Sequence, residues 1–141
     1  MVRDYIELFR PKDWVKNLFV FMPVPFALAS GAGLDPRTFG VGLVAFCAAN
    51  SAVYSLNDAM DAERDRAHET KRNRPVASGR VSARQAYACS FCLGLFAVGS
   101  AWLSGRSSAL AVVAIYMFVN LIYSLGAKNI ALLDVFLLSS G

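Results

Sequence analysis

An all-α, polytopic transmembrane helix bundle is the fold class this sequence predicts, and three observations predict it. Apolar residues fill 56% of the 141 positions and charged residues only 17%, against about 45–50% and about 25% in a typical globular domain. The charges are clustered, leaving four stretches of roughly 20 residues nearly free of them. A chain this short cannot bury four such stretches in a water-soluble core, so a bilayer is their natural solvent. The same composition excludes a disordered chain, a collagen and a soluble nucleic-acid-binding module, so no nucleic-acid partner is expected.

The first apolar run covers 18–33, entered from Trp14, with Pro23 and Pro25 inside it. Those prolines either kink a helix there or shorten it. The second, third and fourth runs cover 38–56, 86–103 and 107–125, each near the ~20 residues that cross ~30 Å of hydrocarbon. Asp35-Pro36-Arg37 and Ser104-Gly105-Arg106 punctuate the connections. Pro75 and Gly79 predict a turn over 75–79, and Ser82 an N-cap for the third span. A fifth run begins near Ile130 and reaches Gly141, only about 18 Å of helix. The expectation is four full spans plus a truncated fifth, a single transmembrane domain over 1–141 that belongs to something longer. The charged N-terminal region carries no cleavable leader pattern. Cys47, Cys89 and Cys92 all fall in apolar runs, where free, packed thiols are expected rather than a disulfide or a zinc site.

Topology follows from the basic residues. Twelve of the 14 Lys and Arg fall in the N-terminal segment, in the long connection before 86, or at Lys128, and only Arg37 and Arg106 face the other side. The positive-inside rule then places the N-terminus and the loop over 57–84 in the cytoplasm of a multi-pass plasma-membrane protein. Trp14, Tyr54, Tyr87, Trp102 and Tyr123 lie near span ends, as an aromatic belt would place them. The net charge of +4 is thus a matter of topology, and it leaves a cationic face beside anionic headgroups or phosphorylated substrates.

The chemistry concentrates in Asn57-Asp58-Ala59-Met60-Asp61-Ala62-Glu63-Arg64-Asp65. On a continuous helix Asp61 and Asp65 lie about 60° and 20° from Asp58, and Asn57 about 100° away on the same side. His68 would join that arc, whereas Glu63 points elsewhere. Crowded carboxylates repel unless a counterion joins them. Mg²⁺ takes hard oxygens from one or two carboxylates together with phosphate oxygens, so a Mg²⁺-bridged diphosphate suits this face. A solvated loop with locally paired Arg64 and Arg66 is the bland alternative. Carboxylates at a membrane boundary are functional candidates by default.

Three basic sets accompany the acidic one. Lys71-Arg72-Asn73-Arg74-Pro75 offers guanidinium forks and a point charge for phosphate, or else lipid-headgroup contacts. Arg10-Pro11-Lys12-Asp13-Trp14-Val15-Lys16-Asn17 puts Lys12 and Lys16 on one helical side, as phosphate ligands or snorkelling anchors. Tyr123 and Lys128 close the fourth span, and Asp134 follows inside an apolar run.

Taken together, these stretches resemble the UbiA superfamily of intramembrane prenyltransferases. Asn57-Asp58-x-x-Asp61-x-x-x-Asp65 is similar to its first aspartate-rich motif. The 10–17 and 71–75 stretches and Tyr123-Ser124…Lys128…Leu133-Asp134 resemble the branch of polyprenyl-phosphate (decaprenyl-phosphate) phosphoribosyltransferases. The resemblance implies half of a bundle of about nine helices around a lipid-accessible cavity. The implied reaction moves 5-phosphoribose from phosphoribosyl diphosphate to a polyprenyl phosphate for cell-wall arabinan. By the same resemblance Asn57, Asp58, Asp61 and Asp65 hold Mg²⁺ and diphosphate, with the three aspartates catalytic. Lys12, Lys16, Asn17, Lys71, Arg72 and Arg74 bind substrate phosphates, and Tyr123 and Lys128 line the mouth. The family's second acidic motif is absent, so the chain alone is expected to be inactive unless a second chain or a homo-oligomer completes the bundle. The alternatives are an aromatic or quinone prenyltransferase using a prenyl diphosphate, and a non-catalytic four-span scaffold.

Overall fold

The structure is a computed structural model that describes residues 2–31, 33 and 35–126. Its α-helices are α1 (Val2–Phe9), α2 (Val24–Ala29), α3 (Pro36–Met60), α4 (Ala62–Arg66), α5 (Ala83–Leu103) and α6 (Ser107–Leu125), with 3₁₀ segments at Pro11–Phe21 and Lys71–Asn73. No strand occurs among the described residues, and α3, α5 and α6 are each long and apolar enough to cross a membrane. The predicted all-α polytopic class holds. The fifth run, Lys128 and Asp134 lie outside the described residues.

One expectation needs correction. The apolar run over 18–33 is not a spanning helix, so the described residues hold three candidate spans rather than four. It is divided between the 3₁₀ segment and the six-residue α2, whose N-cap is Pro23. Pro11, Pro23 and Pro25 each remove a backbone donor, which disfavours an unbroken α-helical ladder. In a 3₁₀ helix, side chains three apart eclipse one another. Trp14 and Asn17 therefore face the same neighbour, α3. Trp14 Nε1 donates to Ser51 Oγ at 3.0 Å, and Asn17 Nδ2 to Cys47 Sγ at 3.3 Å.

The long helices begin where capping chemistry says they should. Asp35 accepts the backbone N–H groups of Arg37 and Thr38, with Pro36 in the first turn of α3. Ser82 starts α5 with a full capping box: its Oγ accepts from Gln85 N at 3.2 Å, and Gln85 Oε1 accepts from Ser82 N at 2.9 Å. At its other end α3 runs on to Met60, beyond the apolar run. The acidic motif therefore starts inside the span helix.

α3 is the central element, touching α1, α4, α5, α6 and the long 3₁₀ segment. It meets α5 through small residues: Ala45, Ala48 and Ala49 against Ala97 and Ala101, all buried. Close approach of small residues is how helices associate where lipid removes the hydrophobic incentive. Ser90 Oγ adds a bond to the Ala52 carbonyl at 2.8 Å. Gly94 serves the α5–α6 contact, since a Cβ there would stand 2.9 Å from Met117 Cε. The outer faces of α5 and α6 expose Phe91, Leu95, Phe96, Trp102, Ile115 and Phe118, as spans facing lipid or further helices do. The three cysteines are free thiols.

A second cluster closes the charged end: Leu8 of α1, Ala59, Ala62, Val76, Val81 and Ala86, flanked by Tyr5, Phe9 and Cys89. It anchors the 67–82 connection, which turns at 75–79 as predicted, with Gly79 at a left-handed φ of 78°. Arg80 ties this connection to α1. Its Nη1 reaches Asp4 at 2.8 Å and Glu7 at 2.9 Å, and Nη2 donates to the Asn73 carbonyl at 2.6 Å. The hydrogen bond from Arg80 holds the Glu7 carboxyl below its ordinary 4.5. A depressed carboxyl stabilises the fold above its unfolded value and loses that contribution as pH falls through its folded value. Protease sensitivity of α1 should therefore rise as pH drops below about 4.5. Glu7→Gln should be more sensitive at neutral pH and show a flatter profile. An unchanged profile in that variant would assign the loosening to other groups.

Candidate active site

The acidic motif survives the end of α3 with its helical phase nearly intact. Asp61 caps the helix, its N–H bonded to the Asn57 carbonyl at 2.9 Å, and Asp65 N–H bonds the Asp61 carbonyl at 2.8 Å. Asp58, Asp61 and Asp65 therefore line one cleft of about 340 Å³, shared with Arg10, Tyr54, Asn57, Arg64, Lys71, Arg74 and Tyr123. Two of these carboxylates are withdrawn from solvent, Asp58 at 1% and Asp65 at 3% exposure. Buried carboxylates need partners, and two arginines supply them. Arg10 Nη2 lies 2.6 Å from Asp58 Oδ1. Arg74 Nη1 bridges Asp58 Oδ1 at 3.4 Å and Asp65 Oδ2 at 2.7 Å. Asp61 has Arg64 at 3.9 Å. The repulsion in this motif is thus relieved within the chain itself, by residues that the sequence suggested would bind phosphate or merely neighbour a proline.

One polar atom of the acidic motif is left over. Asp58 Oδ2 is buried and has no hydrogen-bond partner among the described residues. Asn57 Oδ1 accepts from the Ser124 hydroxyl of α6, and Asp65 is engaged by Arg74. Among the described residues no three His, Cys, Asp or Glu side chains gather closely enough to cage a metal ion. Of the predicted set of Asn57 and three aspartates, Asp58 brings an oxygen without a partner, and Asp61 lines the same cleft. That set fits a hard divalent ion shared with a bound diphosphate, since Mg²⁺ ordinarily keeps waters or phosphate oxygens beside one or two carboxylates.

The remaining predicted residues divide. Lys71, Arg74 and Tyr123 join the carboxylates in the cleft, whereas Arg72 is exposed on the 3₁₀ turn and does not line it. Lys12 lines a second cleft of about 630 Å³ on the other side of Arg10, Asp58 and Arg74, together with Arg3, Glu7 and Asp13. Lys16 is exposed and paired with Asp13 at 2.8 Å. Asn17 sits outside both clefts, buried against α3, where its Oδ1 accepts from Asn50 Nδ2 at 3.1 Å. Three cleft residues went unassigned from sequence: Arg10, Tyr54 and Arg64, the last read only as a local partner of the acidic stretch. Arg10 was only part of a basic stretch, and Tyr54 was an aromatic-belt residue. Arg10 stacks over the Tyr54 ring at 4.7 Å, a cation–π contact worth most where water is excluded. The available signal was Arg10-Pro11, because proline disfavours α conformation in the residue before it and so predicts a break at Arg10.

Known proteins resemble this chain over nearly all its length. The profile of the UbiA prenyltransferase family matches residues 17–141. A decaprenyl-phosphate phosphoribosyltransferase of Mycolicibacterium smegmatis is 42% identical over all of this chain and 45% of its own length. One from Corynebacterium glutamicum is 39% identical over 96% of this chain and 42% of its own. A protoheme IX farnesyltransferase of a Synechococcus species is 30% identical over 85% of this chain and 36% of its own. The chain thus spans less than half the length of these relatives. The family profile takes in α2 through α6, the whole acidic motif and the arginine that bridges it, and on that match the chain belongs to the UbiA prenyltransferase family.

Proposed function

We propose that this chain supplies the acidic half-site of a Mg²⁺-dependent intramembrane transferase. The reaction moves 5-phosphoribose from phosphoribosyl diphosphate to a polyprenyl phosphate, a step toward cell-wall arabinan. The carrying observation is Asp58 Oδ2, buried without a partner in a cleft that also holds Asp61, Lys71 and Arg74. Asp58 and Asp61 would hold Mg²⁺, with Asp65 and Asn57 beside them. When bound there, the ion offsets the charge that develops on a departing diphosphate. Lys71 and Arg74 orient the diphosphate oxygens by charge and by the guanidinium fork. Tyr54 and Tyr123 flank the cleft and limit water. The basic excess at this end supports a cytoplasmic position at the plasma membrane, where a charged donor is soluble and a lipid phosphate is within reach. A second polypeptide segment or chain completes the cavity.

The test joins these 141 residues to the remaining portion of the M. smegmatis relative and supplies membranes with labelled phosphoribosyl diphosphate and a polyprenyl phosphate. Mg²⁺-dependent labelling of the lipid supports the reading. The farnesyltransferase relative favours one other reading, a prenyl diphosphate donor with an aromatic or quinone acceptor. Transfer from a prenyl diphosphate but not from phosphoribosyl diphosphate, in the same membranes, would replace the first reading by the second.

A further inference from the structure

The geometry points to Arg10 as a positioning residue that presents Asp58 to a divalent cation through one oxygen only. The inference rests on the metal-dependent reading of the acidic cleft. Asp58 has two carboxylate oxygens in one buried environment, and they differ completely in their partners. Oδ1 takes Arg10 at 2.6 Å and Arg74 at 3.4 Å. Oδ2 takes none among the described residues. A buried carboxylate ordinarily satisfies both oxygens, so the asymmetry singles out Oδ2 as the oxygen left to take a ligand.

Arg10 is built to hold this arrangement. Its backbone adopts φ 50° and ψ 54°, and it is the one non-glycine residue with a positive φ among the described residues. Such conformations persist only where the surroundings over-determine them, and they cluster at functional sites. Pro11 disfavours right-handed helix at this position, which ends α1 and swings the side chain toward α3. The Tyr54 ring then supports the guanidinium at 4.7 Å. Arg10 also stands between the two clefts, lining both together with Asp58 and Arg74. Arg74 cannot substitute for it, since its nearer partner is Asp65 at 2.7 Å.

The claim predicts an effect opposite in sign to simple electrostatics. Removing a cation from beside a metal site should tighten cation binding if Arg10 is only a competing counter-charge. If it positions Asp58, removal should loosen binding, because partners that orient a metal's ligands commonly contribute about 10–100-fold in affinity. Mn²⁺ alone is the probe, followed by the loss of its free-ion electron paramagnetic resonance signal on titration into the full chain in nanodiscs. Arg10→Gly is the main variant, because glycine keeps the left-handed backbone without strain. Arg10→Lys is the conservative variant. We expect Arg10→Gly to weaken Mn²⁺ binding about 10–100-fold, Arg10→Lys to recover part of it, and inorganic pyrophosphate binding without metal to change far less. Equal or tighter Mn²⁺ binding by Arg10→Gly, with wild-type binding abolished by Asp58→Asn, overturns the role of Arg10 and leaves the metal site standing. A wild-type chain that takes up no Mn²⁺ overturns both.

Discussion

Asp58→Asn is expected to lower transfer by the joined, full-length protein on the order of 1,000-fold, in keeping with removal of a preorganised charge from the point where diphosphate charge develops. The substitution preserves shape and most hydrogen bonding, so the loss reports charge rather than packing. It takes the anion from between Arg10 and Arg74 and turns the orphaned oxygen into part of an amide, a poor ligand for Mg²⁺ beside a carboxylate. The comparison that gives the result meaning is Glu63→Gln. Glu63 belongs to the same acidic stretch but is exposed and outside the cleft, and its variant should keep activity within about twofold, as surface changes do. Equal losses in the two variants would show that the stretch acts through its net charge, and the assigned geometry would be wrong.

The distribution of charge and apolar residues made much of this architecture legible. The limits of α6 coincide with the expected run over 107–125, and Ser82 opens α5 as its side chain implies. Hydropathy and capping act locally, so they can be read one segment at a time. The 18–33 run was ambiguous for the same reason: its apolarity said membrane, while Pro23 and Pro25 said interruption, and backbone donors decided it. The candidate site was half legible. Helical phase brought Asp58, Asp61 and Asp65 to one side. Which cation neutralises which carboxylate depends on segments 48 and 16 residues away, in the pairs Arg10–Asp58 and Arg74–Asp58. No spacing rule reaches that far. Asn17 shows the converse: the family resemblance offered it to a phosphate, and no spacing rule foretold that a 3₁₀ helix with three residues per turn would set it against Asn50 and Cys47.

Arg74→Ala carries the largest expected effect on stability. Arg74 joins Asp58 to Asp65, and through them it ties the 67–82 connection to the end of α3 and to α4. Without it Asp65, 3% exposed, keeps no cation within ion-pair distance among the described residues. Breaking a buried pair from one side costs about 3–5 kcal/mol. Arg74 is itself 27% exposed, and water reaching the vacated space brings the expectation to the lower end, about 3 kcal/mol. Thermal unfolding in detergent, followed through Trp14 and Trp102, should show the loss, and protease cleavage within 67–82 should accelerate. The double variant Arg74→Ala/Asp65→Asn separates charge from packing. Asparagine removes the stranded charge, so the double variant should recover most of the stability lost by the single one, a coupling that residues without direct interaction do not show. Arg74→Lys should fall between them, because an ammonium keeps the charge but is more strongly hydrated than a guanidinium and gives up more solvation in a buried pair. If Arg74→Ala unfolds with the wild type and the double variant recovers nothing, Arg74 does not tie the connection down. Its side chain would then be free to leave Asp58 and Asp65 for an incoming phosphate, and the network seen here would be a resting arrangement rather than the frame of the site.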